Sequence, residues 1–178
     1  MLLFHSGLVE IRNPDIYRGR KNADFGQGFY LTTDSAFARR WTRSSKDTVP
    51  VINTYQLNTE SLEIHRFSRD TEWFTYIFNN RRGRPDSISA DVIIGPIAND
   101  TIFDTLGILT SGLLSDEQAL RLLMVGPVYT QVVIKTPRAR NQLEWIESRQ
   151  LTPETGAEEA FRAEQTAYLN DLGKALQD

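Results

Sequence analysis

The sequence predicts an α+β fold built on mostly antiparallel sheets with flanking helices. Short apolar runs bounded by turn formers read as strands, and helix-spaced stretches lie between them. Strand and helix do not alternate regularly, which a doubly wound parallel sheet would require. With 178 residues the chain holds one ordinary domain and its core. Residues 1–150 are expected to form that domain, and residues 151–178 a C-terminal amphipathic, acidic helix.

Leu2–His5 is a short apolar run halted by Ser6-Gly7, a buried strand. The loop NPDIYRGRKNADFGQG follows, with turn formers Asn13-Pro14-Asp15 and the bases Arg18, Arg20 and Lys21. GFYLT is a second strand. Thr33 or Asp34 caps a helix through about Arg43, with Phe37, Ala38 and Trp41 on its apolar side. VPVINTYQL and LEIHRF read as two strands around the turn Asn58-Thr59. Trp73, Phe74, Ile77 and Phe78 have helical spacing and run into the basic exposed loop RRGRPD. DVIIGPIAND is an apolar strand ended by Gly95-Pro96, and Ser115 with Gln118 forms a capping box for DEQALRLLM. QVVIKT and LEWIES are late strands joined by the polar turn PRARNQ. From Thr152 the chain turns helical, with Pro153 near the start and Phe161, Tyr168, Leu172 and Leu176 on one stripe. That stripe either packs on the body or meets a partner.

Composition narrows the functional classes. Hydrophobic residues make up 40% and charged residues 24%, a globular balance. There is no cysteine, so thiol chemistry is excluded, and with only two histidines, His5 and His65, the composition argues against a His-rich metal site and no metal is expected. MLLFHSG lacks the basic flank of a signal peptide, and no apolar run approaches the ~20 residues of a membrane span. The expected location is cytoplasmic. Net charge is −3, but residues 1–46 carry eight bases and four acids, leaving −7 on the remainder. A basic first third suits an anionic ligand; a solvated mixed surface reads equally well.

Dinucleotide-binding glycine motifs, a Walker loop and a G-x-S-x-G elbow are all absent. What remains are polar residues at strand ends: His5, Tyr30, Gln131 and Asn99-Asp100. The stretch DFGQGFYLTTD sets Gly26 and Gly28 before Phe29-Tyr30-Leu31. Either a tight turn precedes a strand there, or a flat ligand lies on the glycine backbone beneath an aromatic lid. For Trp41, core packing against Phe37 is the plain alternative, and capping is the plain one for Asn99-Asp100.

HSG on a first strand, followed by FGQGFYLTTDSAFARRW, resembles the nicotinamide-binding half of ADP-ribosyltransferases of the diphtheria-toxin and poly(ADP-ribose) polymerase type. Trp41 falls eleven positions after Tyr30, the offset of that type's stacking pair. DFGQGFYLTTD, VIIGPIAND and QVVIKT further resemble a bacterial family of domains of unknown function, from about Leu3 to about Ile146. The resemblance implies two small, mostly antiparallel sheets around a cleft for NAD, which is substrate rather than resident cofactor. It implies catalytic His5, Tyr30 and Gln131, with His5, Ser6, Gly7, Gly28, Phe29, Tyr30, Trp41, Arg20 and Asn99 binding NAD. Gln131 departs from the glutamate usual there; an amide can hold a ribose hydroxyl but cannot act as a base. Asp100 is then a candidate for activating the acceptor.

The resemblance implies mono-ADP-ribosyl transfer to a macromolecular acceptor, protein or nucleic acid, by a bacterial toxin of a toxin–antitoxin pair or a defence system, with a cognate antitoxin as partner. A non-transferring NAD or ADP-ribose-binding module and an NAD glycohydrolase are the alternatives, and no membrane partner is expected.

Overall fold

The computed structural model describes residues 1–41, 49–102, 114–151 and 157–177. Its strands are β1 (Leu2–Gly7), β2 (Phe29–Thr32), β3 (Val51–Leu57), β4 (Ile64–Arg66), β5 (Val92–Pro96), β6 (Thr130–Ile134) and β7 (Leu143–Gln150). They form one seven-stranded sheet in the order β4-β5-β6-β2-β1-β3-β7. Only β4 and β5 run parallel; the other neighbours are antiparallel. The described helices are α1 (Ser35–Trp41), α2 (Thr71–Arg81), α3 (Asn99–Ile102), α4 (Asp116–Leu123), α5 (Pro137–Asn141) and α6 (Ala157–Ala175).

The α+β class stands, but the two separate sheets expected from the sequence do not. β2 pairs with β6 over four positions and also meets β1, at Phe4↔Thr32, so the two halves are laddered neighbours. That central junction is sparse. β1 meets β2 in register at one pair, whereas it meets β3 at six.

Two further expectations change. β4 does not pair with β3 across Asn58-Thr59, because β1 and β7 occupy both edges of β3. β4 instead lies along β5 at the far edge. PRARNQ is no simple turn: Thr136 caps the short helix α5 by accepting from Ala139 N at 3.2 Å, with Pro137 in the first turn where its missing N–H is harmless. In the first helix Asp34 is the residue that caps, accepting from the backbone N–H groups of Ala36 (2.9 Å) and Phe37 (3.0 Å).

Strand alternation places Leu3, Phe29, Leu31, Tyr55, Leu57, Val132 and Ile134 in one buried cluster, closed by Ile16, Ala139 and Leu143. The other face carries Ile93, Gly95 and Val133. A Cβ at Gly95 would meet Phe25 Cζ and Phe67 Cβ, each at 2.9 Å. Tyr76 of α2 stacks on Phe67, and the buried Trp73 indole donates to the Pro96 carbonyl at 2.9 Å. β7 is an edge strand with a bulge: Thr54 pairs with Glu147 and Tyr55 with Trp145, leaving Ile146 outside the ladder.

Residue contacts group the chain into two compact units, Met1–Pro96 with Tyr129–Thr152, and Ile97–Val128 with Pro153–Asp178. Within the second, Leu122 of α4 packs with Tyr168 and Leu172 of α6, with Phe161 at the margin. Leu176, the last residue of the expected stripe, lies beyond the end of α6 and is exposed. Ser115 and Gln118 form the expected capping box.

Gly28 is set by the sheet itself. A Cβ there would lie 2.5 Å from Val133 Cγ1 and 2.7 Å from the Ile134 carbonyl. Gly28→Ala is therefore expected to lower stability by about 1–3 kcal/mol through overpacking between β2 and β6. A urea melt unchanged from wild type would refute that placement.

Candidate functional site

Phe4, Thr32, Gln131 and Gly95 form one row of partners across four strands and share a face, which Tyr30 also shares, two residues before Thr32. His5 follows Phe4 and lies on the opposite face, opposite Asn53 in β3, with its ring 4.6 Å from that of Phe29. The three expected catalytic residues thus approach the β1/β2 junction from two faces and do not form one cluster on one surface.

His5 bridges this junction. Its Nδ1 donates to the Tyr30 carbonyl at 2.8 Å, filling a place where a strand ladder would continue. Since a carbonyl only accepts, Nδ1 carries the proton and Nε2 keeps its lone pair. Burial pushes the His5 pKa down, against the Tyr30 hydrogen bond, so the ring is neutral near pH 7. A Cβ on Gly7 would lie 3.5 Å from Nε2, which places the bare Gly7 backbone beside this acceptor.

The remaining expected contacts divide. The Ser6 hydroxyl donates to the Ala38 carbonyl and ties α1 to β1. Phe29 is buried core, edge-on to Tyr55. Gly28 serves close strand packing instead of ligand approach. Gln131 is buried, and its Nε2 donates to the Pro96 carbonyl at 3.3 Å. A carboxylate could not make that bond, which gives the amide a structural reason to stand there. Arg20 is exposed. Trp41 ends α1, and its side chain lies outside the described residues. Asn99 and Asp100 belong to the second unit and are buried. Asn99 Nδ2 donates to the carbonyls of Val125 (2.6 Å) and Pro127 (2.9 Å), on either side of the left-handed Gly126.

A clamp around Asp24–Gly26 went unanticipated. The Tyr30 hydroxyl donates to the Gly26 carbonyl at 2.7 Å and accepts from Phe25 N at 3.0 Å. Lys135 Nζ donates to the Phe25 carbonyl at 2.5 Å, and Asn80 Nδ2 to that of Asp24 at 3.0 Å. Arg81 Nε pairs with the Asp24 carboxylate at 2.7 Å, and Lys135 with Asp86 at 2.9 Å. Gly26 has φ +71, a backbone that disfavours any side chain. Burial pushes the Tyr30 phenol far up, so it stays a donor. Burial alone would raise Asp86, but hydrogen bonds from Tyr76, the Ile88 backbone and Lys135 outweigh it and hold the carboxyl down. Asp91 behaves likewise through Thr136 and the Glu63 backbone.

A family model described as "Protein of unknown function (DUF3990)" matches residues 1–145, more than three quarters of the chain. The chain belongs to this family. The matched DUF3990 region contains the β1/β2 junction and every residue of the clamp, and ends before α6. No curated protein and no solved structure matches the chain. Among the described residues no cluster of potential ligands could hold a metal ion, and no helix is long and apolar enough to cross a membrane.

Two outcomes follow from this geometry. Tyr30→Phe leaves the Phe25 N–H and Gly26 carbonyl without their partner, and the expected loss is about 1–3 kcal/mol in a denaturant melt. An unaltered midpoint would remove the clamp. With pH, the sign is the same for both group types. His5 is depressed from its ordinary 6.5, so its share of stability is complete above that value and is lost as pH falls below it. Asp86 and Asp91 are depressed from 3.8, so theirs is present above 3.8 and is lost at lower pH. Melting temperature should fall in two stages on acidification, and His5→Gln should erase the upper one.

Proposed function

We propose that this DUF3990 protein is a mono-ADP-ribosyltransferase that binds NAD at the β1/β2 junction. The observation that carries the reading is the interruption of the ladder beyond Phe4↔Thr32, beside a neutral imidazole acceptor and a glycine backbone. A flat ligand entering an interrupted ladder meets side chains from both faces, so His5 and Tyr30 need not share one. The resemblance to the diphtheria-toxin type supplies the chemistry.

In this reading the nicotinamide carboxamide pairs with the main chain at Gly7, and the ring lies on Tyr30, whose face no described aromatic ring covers. The His5 Nε2 accepts from a ribose hydroxyl, Gln131 lies across the sheet, and Arg20 meets the pyrophosphate. The bond between ribose C1′ and nicotinamide breaks with its electron pair leaving on neutral nicotinamide. An acceptor lone pair then bonds C1′, and the acceptor's proton passes to water. Orientation and strain supply the acceleration, since no strong base stands among these residues. A bacterial toxin countered by an antitoxin is the biological setting the resemblance suggests.

One observation favours a second reading. The Tyr30 hydroxyl and the Gln131 amide are engaged by main-chain groups, which suits a binding module or a glycohydrolase as well as a transferase. Labelled NAD incubated with cell lysate separates these. Label on protein or nucleic acid is expected with wild type and is lost with His5→Ala and Tyr30→Ala. Free ADP-ribose alone indicates hydrolysis, and saturable binding without turnover indicates a module. Equal labelling by wild type, Tyr30→Ala and Gln131→Ala would sink the site assignment.

A further inference from the structure

The bases of the first loop and those after α2 are far apart in sequence, yet the fold joins them. Asp24 ends the first loop, and its carboxylate and carbonyl are held by Arg81 and Asn80. Lys21 precedes Asp24 by three residues, and Arg82 and Arg84 follow Arg81 within three, so these bases lie within roughly 11 Å of chain from one ion pair, with Arg20 and Arg18 farther along the same loop. At the other end of that loop, Gln27 Nε2 donates to the carbonyls of Tyr17 (2.6 Å) and Gly19 (3.1 Å).

Arg18, Arg20, Lys21, Arg82 and Arg84 are all exposed, and none forms an ion pair with another described residue. The nearby acids are engaged: Asp24 by Arg81 and Asp86 by Lys135. Asp15 remains, accepting from Tyr17 N at 2.9 Å. The aromatic content decides between anionic partners. Tyr17, next to Arg18 in the chain, is 64% exposed, and Arg82 stacks over Phe78 at 3.7 Å. Cations alone suit any polyanion, but an open ring beside them suits phosphates that carry stackable bases. A Cβ on Gly19, between Arg18 and Arg20, would lie 2.5 Å from the Gly28 carbonyl, so this loop runs against the chain that enters β2.

We propose that the face formed by Tyr17, Arg18, Arg20, Lys21, Arg82 and Arg84 binds single-stranded nucleic acid and, resting on the transferase reading above, that it delivers a nucleic-acid acceptor to the junction. The test uses the full chain and fluorescence anisotropy with labelled single-stranded RNA and DNA of about 20 nucleotides. Affinity should fall steeply between about 50 and 200 mM salt. Arg18→Glu with Lys21→Glu, and separately Arg82→Glu with Arg84→Glu, should each weaken binding about tenfold or more at low salt without changing the melting temperature. Arg82→Lys with Arg84→Lys should keep it, and Tyr17→Ala should weaken it without flattening the salt dependence. No saturable binding, indifference to charge reversal, or equal affinity for a polyglutamate peptide would overturn the proposal. The measurement contains no NAD, so its failure is distinct from failure of transfer at the junction.

Discussion

Four side chains hold three consecutive residues, and much of the first unit depends on that grip. Tyr30, Asn80, Arg81 and Lys135 come from β2, α2 and the end of β6, and all reach Asp24–Gly26. Two ion pairs, Arg81–Asp24 and Lys135–Asp86, leave the arrangement neutral. Taking such charges out of water costs much of what their attraction returns, so the gain is in geometry more than in stability. The geometry gained is the path of a loop that carries Phe25 into the core and leads Gly28 against Val133.

That grip also sets the junction between β1 and β2. β2 is fastened to β6 by four paired positions and to the Phe25 loop by its own tyrosine. β1 is fastened to β3 along its whole length. Between these two halves the backbone ladder has one pair, with the His5 imidazole beside it. A sheet with so sparse a centre and such well-paired flanks has its least committed interior main chain at this junction.

The strands were legible because apolar runs ended by Gly, Pro or Asn carry their own punctuation, and the Ser115–Gln118 box is a local signal. Pairing was not legible. Nothing in LEIHRF tells that its partner is β5 rather than β3, since that choice depends on which edges are already taken. The site was readable in its residue types but not in their commitments. Tyr30 appeared as a stacking surface, and its hydroxyl proved to close a loop. Gly28 appeared open to a ligand, and Val133 fills that space. Lys135 carried no signal at all, because one lysine after an apolar strand looks like any solvated strand end until Asp86 and the Phe25 carbonyl are seen beside it.

The bulge at Ile146 has a consequence beyond the fold of one molecule. β7 is an eight-residue outer strand, long enough to template a foreign strand along its free side. The extra residue breaks the even spacing of main-chain donors and acceptors, and Glu144, Glu147 and Arg149 place charges along the same border. A second chain finds no straight run to zip onto, so the kink guards against fibre growth at the sheet's most vulnerable margin.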